Sequence, residues 1–172
     1  MGKFVFILGG ARSGKSFYAV NLAKKRSRKA LYLATAQAGD PEMRKKIKKH
    51  KISRPRYWKT VEEPLDLIGA LKKCRDKYEL VIIDCLTLYL SNLMHQGLGP
   101  HSIIKLIKAL AAYIATLNET VLLISNEVGL GIVPENKMAR DFRDIAGLAN
   151  QVMAKNADEV FFIQAGIPLR LK

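Results

Sequence analysis

The chain has 172 residues, the length of one ordinary domain, and 49% of them are hydrophobic, which excludes an intrinsically disordered chain. No run reaches the roughly 18 apolar residues of a membrane span, and the N-terminal residues lack a signal peptide's cleavage region, so a single domain over 1–172 with no transmembrane segment is expected. The net charge of +14 points to acidic partners such as nucleotides, nucleic acid or other phosphates, with a lysine-rich solvated surface as the plainer reading. The two cysteines, Cys74 and Cys85, have no metal-type spacing, and a reduced, cytoplasmic protein is expected.

Residues 4–8 (FVFIL) read as a buried strand, and they run into Gly9-Gly10-Ala11-Arg12-Ser13-Gly14-Lys15-Ser16. That run fits G-x-x-x-x-G-K-[ST], with a helix predicted over 16–25, the strand–loop–helix context of a phosphate-binding loop. The chemistry asks for each piece. Glycines let backbone N–H groups close around phosphate oxygens, and the helix N-terminus adds its positive dipole end. Lys15 would reach the β- and γ-phosphates, and the Ser16 hydroxyl would hold Mg²⁺.

Residues 30–34 form a second predicted strand, ending at Thr35. Residues 41–51 read as a basic helix, broken at Arg54-Pro55, with a short strand over 57–60 and a helix over 64–77. Between positions 44 and 59 there are nine Lys or Arg and no acid. Such a segment reads first as a solvated face. It also contains His50, whose imidazolium the neighbouring cations disfavour, leaving a neutral and nucleophilic ring.

Residues 80–83 make a continuous apolar strand ending in Asp84, the place of the acid that helps hold Mg²⁺ in phosphate-loop enzymes; the plainer reading is a cap on the following helix. Helices follow over 86–94 and 102–117, around a loop at 97–100. The strand at 121–124 leads to Asn126 and a glycine loop, the helix over 137–155 is amphipathic, and residues 160–163 and 169–171 close the chain as a hairpin. The strands are apolar throughout and alternate with helices. This argues an α/β fold with a mostly parallel central sheet covered on both faces, and with its ligand crevice at the carboxyl ends of the strands. Thr35, Asp84 and Asn126 stand at such ends, beside the phosphate loop.

With these residues collected, the chain resembles the bifunctional adenosylcobinamide kinase / adenosylcobinamide-phosphate guanylyltransferase family of cobalamin biosynthesis. The matching stretches are 9–16 (GGARSGKS), 31–35 (LYLAT), Glu42-Met43 with His50 and Arg54-Pro55, 58–62 (WKTVE), 84–87 (DCLT), 125–136 (SNEVGLGIVPEN), 142–147 (FRDIAG) and 165–169 (AGIPL). They cover nearly the whole chain in order. The resemblance implies a RecA-like P-loop fold and two reactions. ATP or GTP phosphorylates the aminopropanol hydroxyl of adenosylcobinamide, and GTP then passes its GMP to that phosphate through a GMP-histidine intermediate. It implies His50 as that nucleophile, Lys15 as a catalytic lysine, and Mg²⁺ held by Ser16, Asp84 and Glu62. It further implies nucleotide contacts from Thr35, Ala36, Gln37, Lys51, Ile52, Ser53, Arg54, Glu62 and Asp84, and a homotrimer. Two other readings stay open from the residues themselves. One is a small-molecule kinase without nucleotidyl transfer. The other is a nucleic-acid-binding ATPase, for which only Tyr57 and Trp58 offer an aromatic platform.

Overall fold

The computed structural model describes residues 2–37 and 54–172. Chain order is β1 (Phe4–Gly9), α1 (Lys15–Arg26), β2 (Ala30–Ala34), β3 (Lys59–Glu62), α2 (Leu67–Cys74), β4 (Leu80–Asp84), α3 (Leu86–His95), α4 (Pro100–Ile114), β5 (Thr120–Ile124), α5 (Lys137–Asn156), β6 (Glu159–Gln164) and β7 (Ile167–Arg170). All seven strands join one sheet in the order β3-β2-β4-β5-β1-β6-β7. Every pairing is parallel except β6 with β7, which is the predicted C-terminal hairpin.

The apolar strands are buried on both faces because the sheet has a core on each side. Alternate residues of β1 show this directly. Phe4, Phe6 and Leu8 enter one core with apolar residues of α2, α3, α4 and α5. Val5 and Ile7 enter the other with Ala19, Val20 and Ala23 of α1. On α5 the predicted apolar face carries Ile145, Ala146, Ala149 and Met153 into the first core, with Phe142 and Val152 packed on its margin.

Several elements differ from their predicted bounds, and three of the shifts have a clear local reason. The helix predicted over 64–77 shortens to α2, because Glu63 and Asp66 are spent on the turn before it. Glu63 Oε1 accepts from the Leu65 and Asp66 N–H groups at 3.0 and 2.8 Å, and Asp66 Oδ1 caps the helix by accepting from Gly69 N at 2.9 Å. Helix α4 begins earlier than predicted, with Pro100 at its first position, where its missing N–H costs nothing. The strand predicted at 57–60 shifts to 59–62, in register with β2 through Leu31↔Lys59 and Ala34↔Glu62. The predicted basic helix over 41–51 lies outside the described residues.

The edge between α1 and β6 is tied electrostatically. Glu159, buried at the start of β6, accepts from Lys3 Nζ at 3.0 Å and from Arg26 Nη2 at 3.2 Å. Burial pushes its pKa up, but the hydrogen bonds and charges of Lys3 and Arg26 outweigh that and hold it below the ordinary glutamate value. A depressed folded pKa means stability that is present above the unfolded value of about 4.3 and lost as pH falls through the folded one. Glu159→Gln should therefore cost about 1–2 kcal/mol near neutral pH in urea unfolding, and the gap should close in acid. A gap that stays constant with pH would contradict the ion-pair account.

Candidate nucleotide site

The phosphate loop leaves β1 at Gly9, where the backbone passes so close to β6 that a Cβ would run into the Ile163 carbonyl. It returns into α1 at Gly14, which sits at φ +97°, a conformation glycine adopts without strain. Ser13 N donates to Gly10 O at 3.3 Å, and Gly166 N, from the β6–β7 turn, donates to Ser13 O at 2.9 Å. The C-terminal hairpin therefore braces the loop.

Strand order sets the geometry beyond the loop. β5 stands between β1 and β4, so the loop and Asp84 leave strands two spacings apart, about 9–10 Å. The first turn of α1 closes that gap: Ser16 Oγ donates to Asp84 Oδ2 at 3.0 Å. A second hydroxyl, Tyr32 Oη from β2, donates to the same carboxylate oxygen. Asp84 does not cap α3; the capping position is Cys85, and no side chain caps that end. A hydroxyl and a carboxylate converging at 3.0 Å are hard oxygen donors, a set that suits Mg²⁺ carried in with phosphates.

Lys15 is only 7% exposed, and its Nζ donates to Gly10 O at 2.5 Å. Burial lowers its pKa from the ordinary lysine value, and electrostatic interactions with Cys85 and Asp84 offset part of that. A phosphate oxygen offers this ammonium a charged acceptor in place of a neutral carbonyl, the stronger of the two bonds. The cleft in front of these groups has a volume of about 390 Å³. Lys15, Ser16, Asp84 and Asn126 line it, with Phe17, 73% exposed, at its mouth. Cys85 also lines it, but burial and the neighbouring Asp84 push its thiol up to about 11, so it is no nucleophile near neutral pH.

The predicted residues thus fall into three groups. Gly9, Gly10, Ala11, Arg12, Ser13, Gly14, Lys15, Ser16 and Asp84 come together around the loop. Thr35 does not open onto the cleft: it is fully buried, and its hydroxyl accepts from Cys85 N at 2.7 Å and donates to Cys85 O at 2.8 Å, tying β2 to β4. Ala36 is half-buried and Gln37 exposed beyond it. Glu62 is exposed at the end of β3, paired in register with Ala34, while Asp84 pairs with Ala34 from the other side. The two carboxylates therefore flank β2 two strand spacings apart. Arg54 lies over the Tyr32 ring, 3.5 Å from its centroid. His50, Lys51, Ile52 and Ser53 lie outside the described residues.

Tyr32 is not among the predicted site residues, and Asn126 is predicted at the ligand crevice without an assigned role. Asn126 is held at the cleft by two donations to Thr87 Oγ1, from its N–H at 3.0 Å and its amide at 2.9 Å. For Tyr32 the signal was available: a lone hydroxyl inside an aliphatic strand needs a partner.

A braced phosphate loop, a carboxylate two strands over and a parallel sheet in this order define a RecA-like P-loop NTPase fold. The structure of the RadB recombinase superimposes with a TM-score of 0.53 over 94% of this chain and 74% of that one; at 17% identity the likeness is one of fold. The profile of the cobinamide kinase / cobinamide phosphate guanyltransferase family matches residues 5–171, and the chain belongs to that family. Among its relatives, the bifunctional adenosylcobalamin biosynthesis protein CobP of Pseudomonas aeruginosa is 42% identical over 166 residues, 96% of this chain and 95% of that one. The corresponding CobU proteins of Escherichia coli and Salmonella typhimurium are each 37% identical, over 98% of this chain and 99% of theirs.

The Ser16–Asp84 geometry yields a direct test. Asp84→Asn keeps the shape but removes the charge, so the Mg²⁺ concentration that half-saturates nucleotide binding should rise about tenfold in calorimetric titrations. An unchanged requirement would remove Asp84 from the metal site.

Proposed function

We propose that this chain, acting as one catalytic unit, phosphorylates adenosylcobinamide and then guanylylates the product, giving adenosylcobinamide-GDP. The observation that carries the reading is the family match over residues 5–171, together with a phosphate loop at which Lys15, Ser16 and Asp84 converge.

In the first transfer the substrate hydroxyl attacks the γ-phosphorus of ATP or GTP, and the bond to the β-phosphate oxygen breaks. The loop N–H groups and the α1 N-terminus hold the phosphates in line, and Lys15 follows the negative charge as it moves onto the leaving oxygen. Ser16 and Asp84 would hold Mg²⁺ beside the phosphates, where it supplies charge neutralisation. In the second transfer an imidazole nitrogen of His50 attacks the α-phosphorus of GTP, and pyrophosphate leaves. The cobinamide phosphate oxygen then attacks the same phosphorus, the N–P bond breaks, and the imidazole is regenerated. One difficult displacement becomes two easier ones. Arg54, with Lys51, Ile52 and Ser53 and with Ala36 and Gln37, would contact the guanine nucleotide. Glu62, outside β2, would serve that same end through the nucleotide or its metal. Thr35 holds the strand ends that carry these groups.

The reading includes a homotrimer working in the cytoplasm, without nucleic acid as a specific partner. No described helix is long and apolar enough to cross a membrane.

Two substitutions separate the parts. His50→Ala should abolish acid-labile protein-bound label from α-³²P-GTP while sparing much of the kinase step, which needs no covalent intermediate. A variant that still takes the label would exclude His50 as nucleophile. Lys15→Ala should weaken triphosphate binding and reduce both transfers, each by roughly two orders of magnitude, the size typical of a lost electrostatic group. Loss of only one activity would mean two separate nucleotide sites.

A further inference from the structure

We propose that Tyr32 is a positioning residue for both transfers: its hydroxyl fixes the Asp84 carboxylate and its ring seats the Arg54 guanidinium. The inference rests on the two-transfer reading above.

Tyr32 is the one polar side chain in β2, whose sequence is ALYLA. It is 1% exposed and packs in the core on the α1 side of the sheet. A phenylalanine would fill the same space, so burial does not account for the hydroxyl. A buried phenol needs an acceptor, and this one donates to Asp84 Oδ2, the oxygen that also accepts from Ser16 Oγ. Two donors on one oxygen fix the carboxylate's plane, and no described donor is bonded to Oδ1. Once the Ser16 hydroxyl turns to a cation, Tyr32 is the described donor that still holds Asp84 in place. This is the way a partner behind a metal-side carboxylate sets its orientation.

The ring has a separate task. Arg54 Cζ stands 3.5 Å from its centroid, a close cation–π contact. Among the described residues little else holds Arg54: Nη1 is 3.5 Å from Thr60 Oγ1, and Nε is buried with no hydrogen-bond partner there. The place of a guanidinium offered to the nucleotide therefore depends on the aromatic face beneath it. One side chain touches the phosphate-loop carboxylate through its tip and a predicted guanine-nucleotide contact through its ring.

The two tasks can be taken apart. Tyr32→Phe removes the hydroxyl and keeps the ring; Tyr32→Leu removes both. Calorimetric titration of the full-length protein with GTP at graded Mg²⁺ reads the first task. In Tyr32→Phe the Mg²⁺ needed for half-maximal binding should rise about tenfold, the size of a lost hydrogen bond to a charged acceptor. In an Asp84→Asn background the same change should add less than about twofold, because the charged acceptor is already gone. A structural role alone would lower the thermal midpoint without moving the Mg²⁺ requirement. Label from α-³²P-GTP reads the second task. Raising Mg²⁺ should restore it in Tyr32→Phe but not in Tyr32→Leu, which should match Arg54→Leu. An unchanged Mg²⁺ requirement in Tyr32→Phe would overturn the hydroxyl's role, as would equal effects with and without Asp84. Full labelling of Tyr32→Leu where Arg54→Leu labels poorly would overturn the ring's. If the wild-type protein takes no label, the two-transfer reading fails, and the titrations still decide the role of the hydroxyl.

Discussion

The contact between Ser16 and Asp84 bridges a gap that the strand order creates. β5 separates the strand that feeds the phosphate loop from the strand that ends in the acid. Because α1 starts directly at the loop's end, it carries the Ser16 hydroxyl across one intervening strand to 3.0 Å from that carboxylate. Everything that fixes the two strands and the first turn of α1 therefore serves this meeting. The double-sided core holds the sheet, Gly9 allows close passage along β6, and the β6–β7 turn braces the loop from behind.

Burial is the largest influence on the titratable groups Lys15 and Cys85 around that meeting. Lys15 is desolvated and satisfied by its own loop, which leaves a ready donor to exchange a neutral acceptor for a charged one. Burial, with Asp84 beside it, pushes the Cys85 thiol up to about 11, which disfavours the thiolate in the cleft. Thr35 spends its hydroxyl on both backbone groups of Cys85 and holds the ends of β2 and β4 at one level. Because of that level, Ala34 lies between Glu62 and Asp84, with one carboxylate on each side of β2.

Much of this was legible in the sequence, because the signals were local. Continuous apolar runs of four or five residues gave the buried parallel strands, and the glycine spacing before Lys15 gave the loop. The position of Asp84 at a strand end gave the carboxylate, though sequence alone left a helix cap open; Cys85 holds that capping position, and Asp84 meets Ser16 instead. The strand order was not legible, since it depends on which faces pack together across the whole chain. The partners of side chains working between strands depend on that order too: a lone hydroxyl in β2 signals a need for an acceptor without naming Asp84, and nothing local ties the Thr35 hydroxyl to Cys85. Helix ends shifted where acids such as Glu63 and Asp66 bonded to the backbone of the preceding turn instead of extending the helix.

If one phosphate-loop domain carries out two successive transfers on one corrinoid substrate, the purified chain given only adenosylcobinamide, GTP and Mg²⁺ should complete both, and chromatography of the products over time reads this. Adenosylcobinamide phosphate should appear first and then decay into adenosylcobinamide-GDP, with one pyrophosphate released for each molecule formed. A reaction that halts at the phosphate and releases only nucleoside diphosphate would contradict the two-transfer reading and leave a simple kinase.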